Sequence, residues 1–155
     1  MIAILEDDER RQQEMKRLLA TWFPERNFIF FDNAPDTIVW LVENLAHVSL
    51  LCLDHDLGAS RIRDGERFEP GVGRDVVNFL ADRTPRFPVI VHSSNPIAAP
   101  GMIYALEAGS WSVVRVVPFD DLEWLAISWL KAVTAAIETS PSVPNYDEAS
   151  TGKLR

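Results

Sequence analysis

The sequence predicts a single-domain α/β fold, in which helices cover both faces of a parallel sheet of five strands. Short apolar runs alternate with segments of helical period five times along the chain, which is the pattern of repeated βα units. The length of 155 residues suits one domain, and 47% hydrophobic with 25% charged residues is the composition of a packed globule. Five such units with right-handed crossovers favour strand order 2-1-3-4-5.

The predicted strands are short, and the first, third and fourth are nearly continuous in apolar residues. Such strands are typical of a parallel sheet that is buried on both faces. In chain order the strands are Ile2–Leu5, Phe28–Phe31, Leu50–Leu53, Val89–Val91 and Val113–Val117.

Five segments between and after the strands carry apolar residues at helical spacing, and Asp8, Asn33 and Asp120 are the predicted N-caps. The last helix is the longest and most apolar, and Trp124, Ile127 and Trp129 cannot all face one sheet. The predicted helices are Glu9–Trp22, Ala34–Ala46, Arg74–Arg83, Pro96–Ala108 and Leu122–Ile137.

The predicted domain covers residues 1–138, and its third connection is roughly 15 residues longer than the others. The excess lies at 58–73, a stretch with four glycines and three arginines. Loops of this length are often lids or binding loops, and the alternative is a tolerated surface insertion. Residues 139–155 are polar and lack periodicity, which predicts a flexible C-terminal tail.

Composition excludes several classes of protein. The 15 basic residues against 23 acidic ones give a formal net charge of -8, which speaks against an extended nucleic-acid footprint. The single cysteine, Cys52, rules out an internal disulfide and a CxxC motif, so we expect a reduced, cytoplasmic setting. The sequence shows no signal peptide and no apolar run near the roughly 18 residues of a membrane span.

Acidic residues follow the first and third strands, which strand order 2-1-3-4-5 places side by side. Ligands of such sheets bind beyond the carboxyl ends of the strands. Like charges brought together there favour a bound cation, and carboxylate oxygens suit Mg²⁺ or Mn²⁺. Helix capping is the alternative for Asp8, but it does not explain Asp54 and Asp56. The acidic residues concerned are Glu6, Asp7, Asp8, Asp54 and Asp56.

Two histidines lie at the same predicted edge, His55 after the third strand and His92 after the fourth. They suit metal ligation or proton transfer near neutral pH, and a structural role is the alternative. Asn95 opens the next helix, whose free N–H groups favour an anion such as phosphate. Arg115 in the fifth strand is either a phosphate fork or the partner of an edge carboxylate.

These residues give the chain a resemblance to a known family. Residues 1–138 resemble the receiver domain of two-component response regulators, in Asp7-Asp8 after strand one, Asp54 after strand three, Ser93 after strand four and the turn at 117–119. In receivers these positions bind Mg²⁺, accept a phosphoryl group and sense it. The chain departs from the pattern at Val117, where receivers carry lysine.

A divergent branch, the cyclic-phosphate processing receiver domain, is more similar. Its hallmarks match Asp-His-Asp-Leu-Gly at 54–58 and His-Ser-Ser-Asn-Pro at 92–96, and the stretches at 73–76 and 115–119 also fit. The resemblance implies a (βα)5 flavodoxin-like fold and action on cyclic phosphates of nucleotides or RNA ends.

The main hypothesis is therefore a metal-dependent phosphoesterase, a cytoplasmic hydrolase for cyclic phosphates. The predicted catalytic residues are Asp54, His55, Asp56 and His92, with Asp54 as nucleophile or ligand and the two histidines sharing the proton transfers. The 58–73 loop, with Arg61, Arg63, Arg67 and the adjacent Arg74, would close over the substrate. The predicted metal ligands are Glu6, Asp7, Asp8 and Asp54. The predicted phosphate-binding residues are Ser93, Asn95, Arg115 and Arg74.

Two other functions are open. One is a stand-alone signalling module phosphorylated on Asp54, which the absence of lysine at position 117 weakens. The other is a non-catalytic binding or adaptor protein, and the apolar last helix motivates a homodimer through the fourth and fifth helices.

Overall fold

A five-stranded parallel sheet forms the centre of the molecule. The structure is a computed structural model that describes residues 1–139, so the tail predicted for 139–155 lies, apart from Thr139, outside the described residues. The sheet order β2-β1-β3-β6-β7 is the predicted order 2-1-3-4-5 of the main strands, which is confirmed. These strands are β1 (Ile2–Leu5), β2 (Phe28–Phe31), β3 (Leu50–Leu53), β6 (Val89–His92) and β7 (Val113–Val116).

The helices lie where the periodicity predicts them, but several begin or end at different residues. Asp8 and Asn33 cap α1 and α2 through their side chains, as predicted. The prediction for Asp120 is wrong, because Asp120 lies in a left-handed turn (φ 50°) and the last helix starts beyond it. The helices are α1 (Glu9–Trp22), α2 (Ala34–Asn44), α3 (Gly73–Ala81), α4 (Ala98–Ala108) and α5 (Leu130–Thr139), with a 3₁₀ turn at Leu45–His47.

Both faces of the sheet are covered, and every residue of β1 and β3 is buried. Because side chains alternate along a strand, Leu5 and Leu53 pack in the cluster beneath α2, α3 and α4, while Ile4 and Cys52 pack in the cluster with α1 and α5. The polar groups of the site therefore come mostly from the residues just beyond the strands; His92, predicted to follow the fourth strand, is instead the last residue of β6. Within residues 1–139, none of the helices is long and apolar enough to cross a membrane.

A π-helical turn at Leu125–Trp129 leads into α5. The Leu130 N–H donates to the Leu125 carbonyl, five residues back, so residues five apart share a face. Trp124 and Trp129 are accordingly both fully buried, whereas Ile127 is 60% exposed. This confirms that the three side chains do not face one sheet.

The long third connection, predicted as a loop, contains a β-hairpin. Its strands are β4 (Arg61–Arg63) and β5 (Glu66–Phe68), joined at Asp64-Gly65. Both turn residues have positive φ, 54° and 83°, which is the geometry of the Asp-Gly hairpin turn. That dipeptide was the signal for the hairpin in the sequence.

Candidate functional site

An acidic cluster lies at the carboxyl ends of β1 and β3. The parallel register pairs Leu5 with Leu53, so the residues that follow them, Glu6 and Asp54, emerge side by side. One carboxylate oxygen from each of Glu6, Asp7 and Asp54 lies within 4.8 Å of the others. Glu6 is fully buried and Asp54 is 5% exposed. We call these three residues the acidic cluster.

Asp8 lies outside the acidic cluster. Its Oδ1 accepts hydrogen bonds from the backbone N–H groups of Arg10 (2.9 Å) and Arg11 (3.0 Å) and so caps α1. Three of the four predicted metal ligands therefore lie together. The fourth, Asp8, caps α1, which was the alternative role given for it.

Burial dominates the electrostatics of the cluster. It raises the pKa of Asp54 to about 6, and the charge of Glu6 acts in the same direction. Burial and then Glu6 also raise the pKa of Asp7. The Asp54 Oδ1 accepts a 2.6 Å hydrogen bond from the His55 N–H, and the Glu6 Oε1 accepts one of 3.0 Å from the Asp8 N–H.

The donor set of the cluster fits a hard divalent cation. All three groups are carboxylates, and Glu6 Oε2 is buried without a hydrogen-bond donor in the part of the chain that is described. His92 Nε2 and Arg11 Nη1 lie 3.3 Å and 3.7 Å from this oxygen but make no hydrogen bond to it, so the cost of burying its charge is only partly offset, and a cation would remove the rest. Mg²⁺ and Mn²⁺ prefer oxygen ligands of this kind.

Arg11 is the functional candidate that sequence reasoning missed. Its Nη1 lies 3.6 Å from Asp54 Oδ2 and 3.7 Å from Glu6 Oε2, and its guanidinium carbon lies 5.5 Å from the ring centroid of Trp124. The sequence carried no signal for it, because an arginine in the first turns of an amphipathic helix usually faces solvent.

His92 is buried behind the acidic cluster. It has no exposed surface, its ring stacks on Trp124 with 6.0 Å between centroids, and its Nε2 lies 3.3 Å from Glu6 Oε2. Its Nδ1 has no hydrogen-bond partner within residues 1–139. The structure therefore places His92 against Glu6, and no face of it is open to a substrate.

A second polar group lies beside the cluster, on the loops after β3 and β6. The Asn95 amide lies 3.3 Å from Asp56 Oδ2, and His55 Nε2 lies 4.0 Å from Asp56 Oδ1. Asp56 is exposed, whereas the His55 side chain is only 14% exposed. Asn95 Oδ1 accepts hydrogen bonds from the N–H groups that open α4, and the buried Ser93 hydroxyl accepts one from the Asn95 N–H.

Gly73 sets how closely the third connection returns to the site. Its N–H donates to the His55 carbonyl at 2.9 Å, and a Cβ at this position would lie 1.9 Å from the Asp54 carbonyl oxygen. Only glycine allows this approach. At the start of the same connection, Gly58 has φ 73° and a Cβ there would lie 3.1 Å from Asp7 Oδ2.

The other arginines proposed from the sequence are held elsewhere. Arg74 donates to Asn78 and lies against Gly101 of α4. Arg115 lines a groove of about 740 Å³ between β7 and α5. No ion pair within residues 1–139 joins either of them to the acidic cluster.

The loop arginines are already engaged, so the predicted closure over a substrate does not follow from their charges. Acidic residues after β2, in α2 and in the loop itself neutralise them. The ion pairs are Arg61–Asp32 at 2.9 Å, Arg63–Asp36 at 2.8 Å and Arg67–Glu69 at 2.8 Å.

Comparisons with known proteins agree with this geometry. A family model described as the cyclic-phosphate processing receiver domain matches residues 2–108. The fold is similar to the phosphorylated cyanobacterial phytochrome response regulator RcpA, with a TM-score of 0.66 and 17% identity over 92% of this chain and 96% of that one.

Two further solved structures share the fold. The Mn²⁺-bound form of response regulator Rcp1 has a TM-score of 0.67 and 16% identity, covering 92% of this chain and 97% of that one. The response regulator domain of Thermotoga maritima CheB has a TM-score of 0.61 and 16% identity, covering 90% and 97%. No curated protein matches the chain in a sequence comparison.

Proposed function

The chain belongs to the cyclic-phosphate processing receiver domain family, and on that premise we propose that it is a metal-dependent phosphoesterase. The substrates proposed are cyclic phosphates of nucleotides or RNA ends, and the setting is cytoplasmic. The observation that carries the proposal is the largely buried acidic cluster, Glu6, Asp7 and Asp54, with the His55 imidazole next to Asp54 in the chain. Phosphate ester hydrolysis is catalysed by a metal ion that neutralises the phosphate and by a side chain that transfers a proton, and both could act here.

The three carboxylates of the acidic cluster would hold a divalent cation, Mg²⁺ or Mn²⁺. The Mn²⁺-bound form of the similar fold Rcp1 supports this assignment. When bound, the cation neutralises the phosphate and polarises its P–O bonds.

His55 is the imidazole proposed to move the proton. The attacking water forms a bond to phosphorus and gives its proton to His55, the bond to one ribose oxygen breaks, and that oxygen takes the proton. The His55 Nδ1 is buried, so Nε2, which faces the exposed Asp56 carboxylate at 4.0 Å, is the nitrogen that would carry the proton. His92 is proposed as a positioning residue that acts through Glu6, 3.3 Å from its Nε2.

The loop after β6 is proposed to bind the phosphate. The Ser93 hydroxyl is buried at the carboxyl end of β6, and the Asn95 amide faces Asp56. Arg74, the second residue of α3, is proposed to leave its contact with Asn78 and bind the more distant part of the substrate.

The test is an assay of 2′,3′-cyclic and 3′,5′-cyclic nucleotides and of RNA ending in a cyclic phosphate, each with Mg²⁺ and with Mn²⁺. We expect His55→Ala to lower kcat by about 10²–10⁴-fold. His47→Ala is the matched control, because His47 is an exposed histidine after α2 and should leave kcat unchanged. Full activity in His55→Ala, or no hydrolysis of any cyclic phosphate, would contradict the proposal.

A second candidate function is a signalling module that is phosphorylated on Asp54. The receiver fold and the position of Asp54 at the end of β3 support it, and RcpA is a phosphorylated protein of similar fold. Incubation with acetyl phosphate and Mg²⁺, followed by intact mass, separates the two functions. A stable mass gain that disappears in Asp54→Asn would favour signalling over hydrolysis.

A further inference from the structure

We propose that Arg11 is the internal countercharge of the acidic cluster and becomes its phosphate-binding group when a divalent cation takes its place. The first half rests on contacts within the chain. The second half deepens the proposed function, because it names the residue that would hold the phosphate.

Arg11 faces one carboxylate oxygen of Glu6 and one of Asp54, two of the three residues of the acidic cluster. Glu6 Oε1 and Asp54 Oδ1 already accept hydrogen bonds from backbone N–H groups. The other oxygens, Glu6 Oε2 and Asp54 Oδ2, lie 3.7 Å and 3.6 Å from Arg11 Nη1. One guanidinium and one divalent cation therefore compete for the same pair of oxygens.

The contacts of Arg11 are suited to exchange. Distances of 3.6 Å and 3.7 Å exceed those of a charge-assisted hydrogen bond, about 2.7–2.9 Å, so the attraction is electrostatic and lacks bond geometry. The side chain is 26% exposed, so it can shift without breaking the core. A cation with two charges would displace it from the carboxylates.

Trp124 keeps Arg11 at the site after such an exchange. The guanidinium carbon lies 5.5 Å from the Trp124 ring centroid, and this ring is fully buried at the start of the π turn and stacked on His92. A guanidinium that stays beside an aromatic ring by cation–π attraction keeps its N–H donors free, and their planar fork suits two phosphate oxygens. The arginines of the hairpin cannot replace it, since they are paired with their own acidic neighbours.

Binding of Mn²⁺ alone, and then of inorganic phosphate to the Mn²⁺-loaded protein, tests the proposal by calorimetry without any turnover. We expect Arg11→Gln to bind Mn²⁺ about 10-fold more tightly and phosphate at least about 10-fold more weakly. Arg11→Lys should keep the wild-type Mn²⁺ affinity, because the charge remains, and should weaken phosphate binding, because the fork is lost.

Arg17→Gln is the matched control, because it removes an exposed arginine of the same helix that pairs with Glu14. It should change neither affinity. The proposal is overturned if Arg11→Gln leaves Mn²⁺ affinity unchanged or weaker, or leaves phosphate affinity unchanged, while its thermal unfolding matches that of the wild type. Tighter Mn²⁺ binding together with weaker phosphate binding would support the role of Arg11 even if the protein hydrolyses no cyclic phosphate. The Arg11 proposal and the phosphoesterase proposal can therefore be refuted independently.

Discussion

Replacing Asp54 with asparagine should stabilise the metal-free protein at neutral and alkaline pH. Burial raises the pKa of Asp54 from 3.8 to about 6. Each pKa unit corresponds to about 1.4 kcal/mol, so the ionised carboxylate costs the folded state about 3 kcal/mol. Asparagine has nearly the same shape, keeps the oxygen that accepts from the His55 N–H, and carries no charge.

The stabilisation should depend on pH in one direction. Between about pH 4 and pH 6 the folded protein retains on Asp54 a proton that the unfolded chain has released, so wild-type stability falls as the pH rises through this window. The difference in free energy of unfolding between Asp54→Asn and wild type should therefore be small near pH 4 and reach about 3 kcal/mol near pH 8. In a chain of this size, each kcal/mol of added stability raises Tm by roughly 2–4 °C.

Urea unfolding in EDTA, at about pH 4 and about pH 8, measures this difference. Asp8→Asn is the matched control, because it removes the same charge from the loop after the neighbouring strand β1 while asparagine still caps α1, so its stability should barely change. Excess Mn²⁺ should reverse the order by stabilising only the wild type. The reasoning is refuted if Asp54→Asn is no more stable than wild type near pH 8, or if the difference is the same at both pH values.

Three more predictions follow from the packing. Gly73→Ala should destabilise the protein by several kcal/mol in urea unfolding and weaken Mn²⁺ binding, because its Cβ would lie 1.9 Å from the Asp54 carbonyl oxygen. Gly101→Ala, within α4, is the control and should be neutral or stabilising by up to about 1 kcal/mol. Cys52 should not react with a thiol reagent until the protein unfolds, because burial raises the pKa of its thiol; reaction in the native state would contradict this. The expected homodimer should appear in sedimentation equilibrium and be lost in Ile127→Glu, and a wild-type monomer at high concentration would remove the prediction.

The fold could be predicted because its determinants are local in sequence. Continuous apolar strands, helical periods between them and capping side chains such as Asp8 and Asn33 specify each βα unit. Element ends moved by a few residues where local chemistry intervened. The helix expected from Pro96 starts at Ala98, because Asn95 first caps the turn with its side chain.

The sequence predicted the site residues only where strand order alone determines which side chains lie together. Glu6, Asp7 and Asp54 meet because two parallel strands end together. Arg11 could not be found in this way, since its position over Trp124 depends on how the last helix packs against α1. The burial of His92 depends on the same tryptophan, and no periodicity in the sequence reveals a π turn.

The π turn before α5 also bears on how this chain is aligned with its relatives. A π turn adds one residue to an α-helix without ending it, so a relative with one residue fewer would close the turn to regular α-helix. Residues four apart in an α-helix share a face as residues five apart do here, so both tryptophans would keep facing the sheet. A one-residue gap in an alignment therefore belongs within 125–129. A gap placed before this segment would misalign Trp124, the residue that joins Arg11 to His92, and a gap placed after it would misalign Trp129.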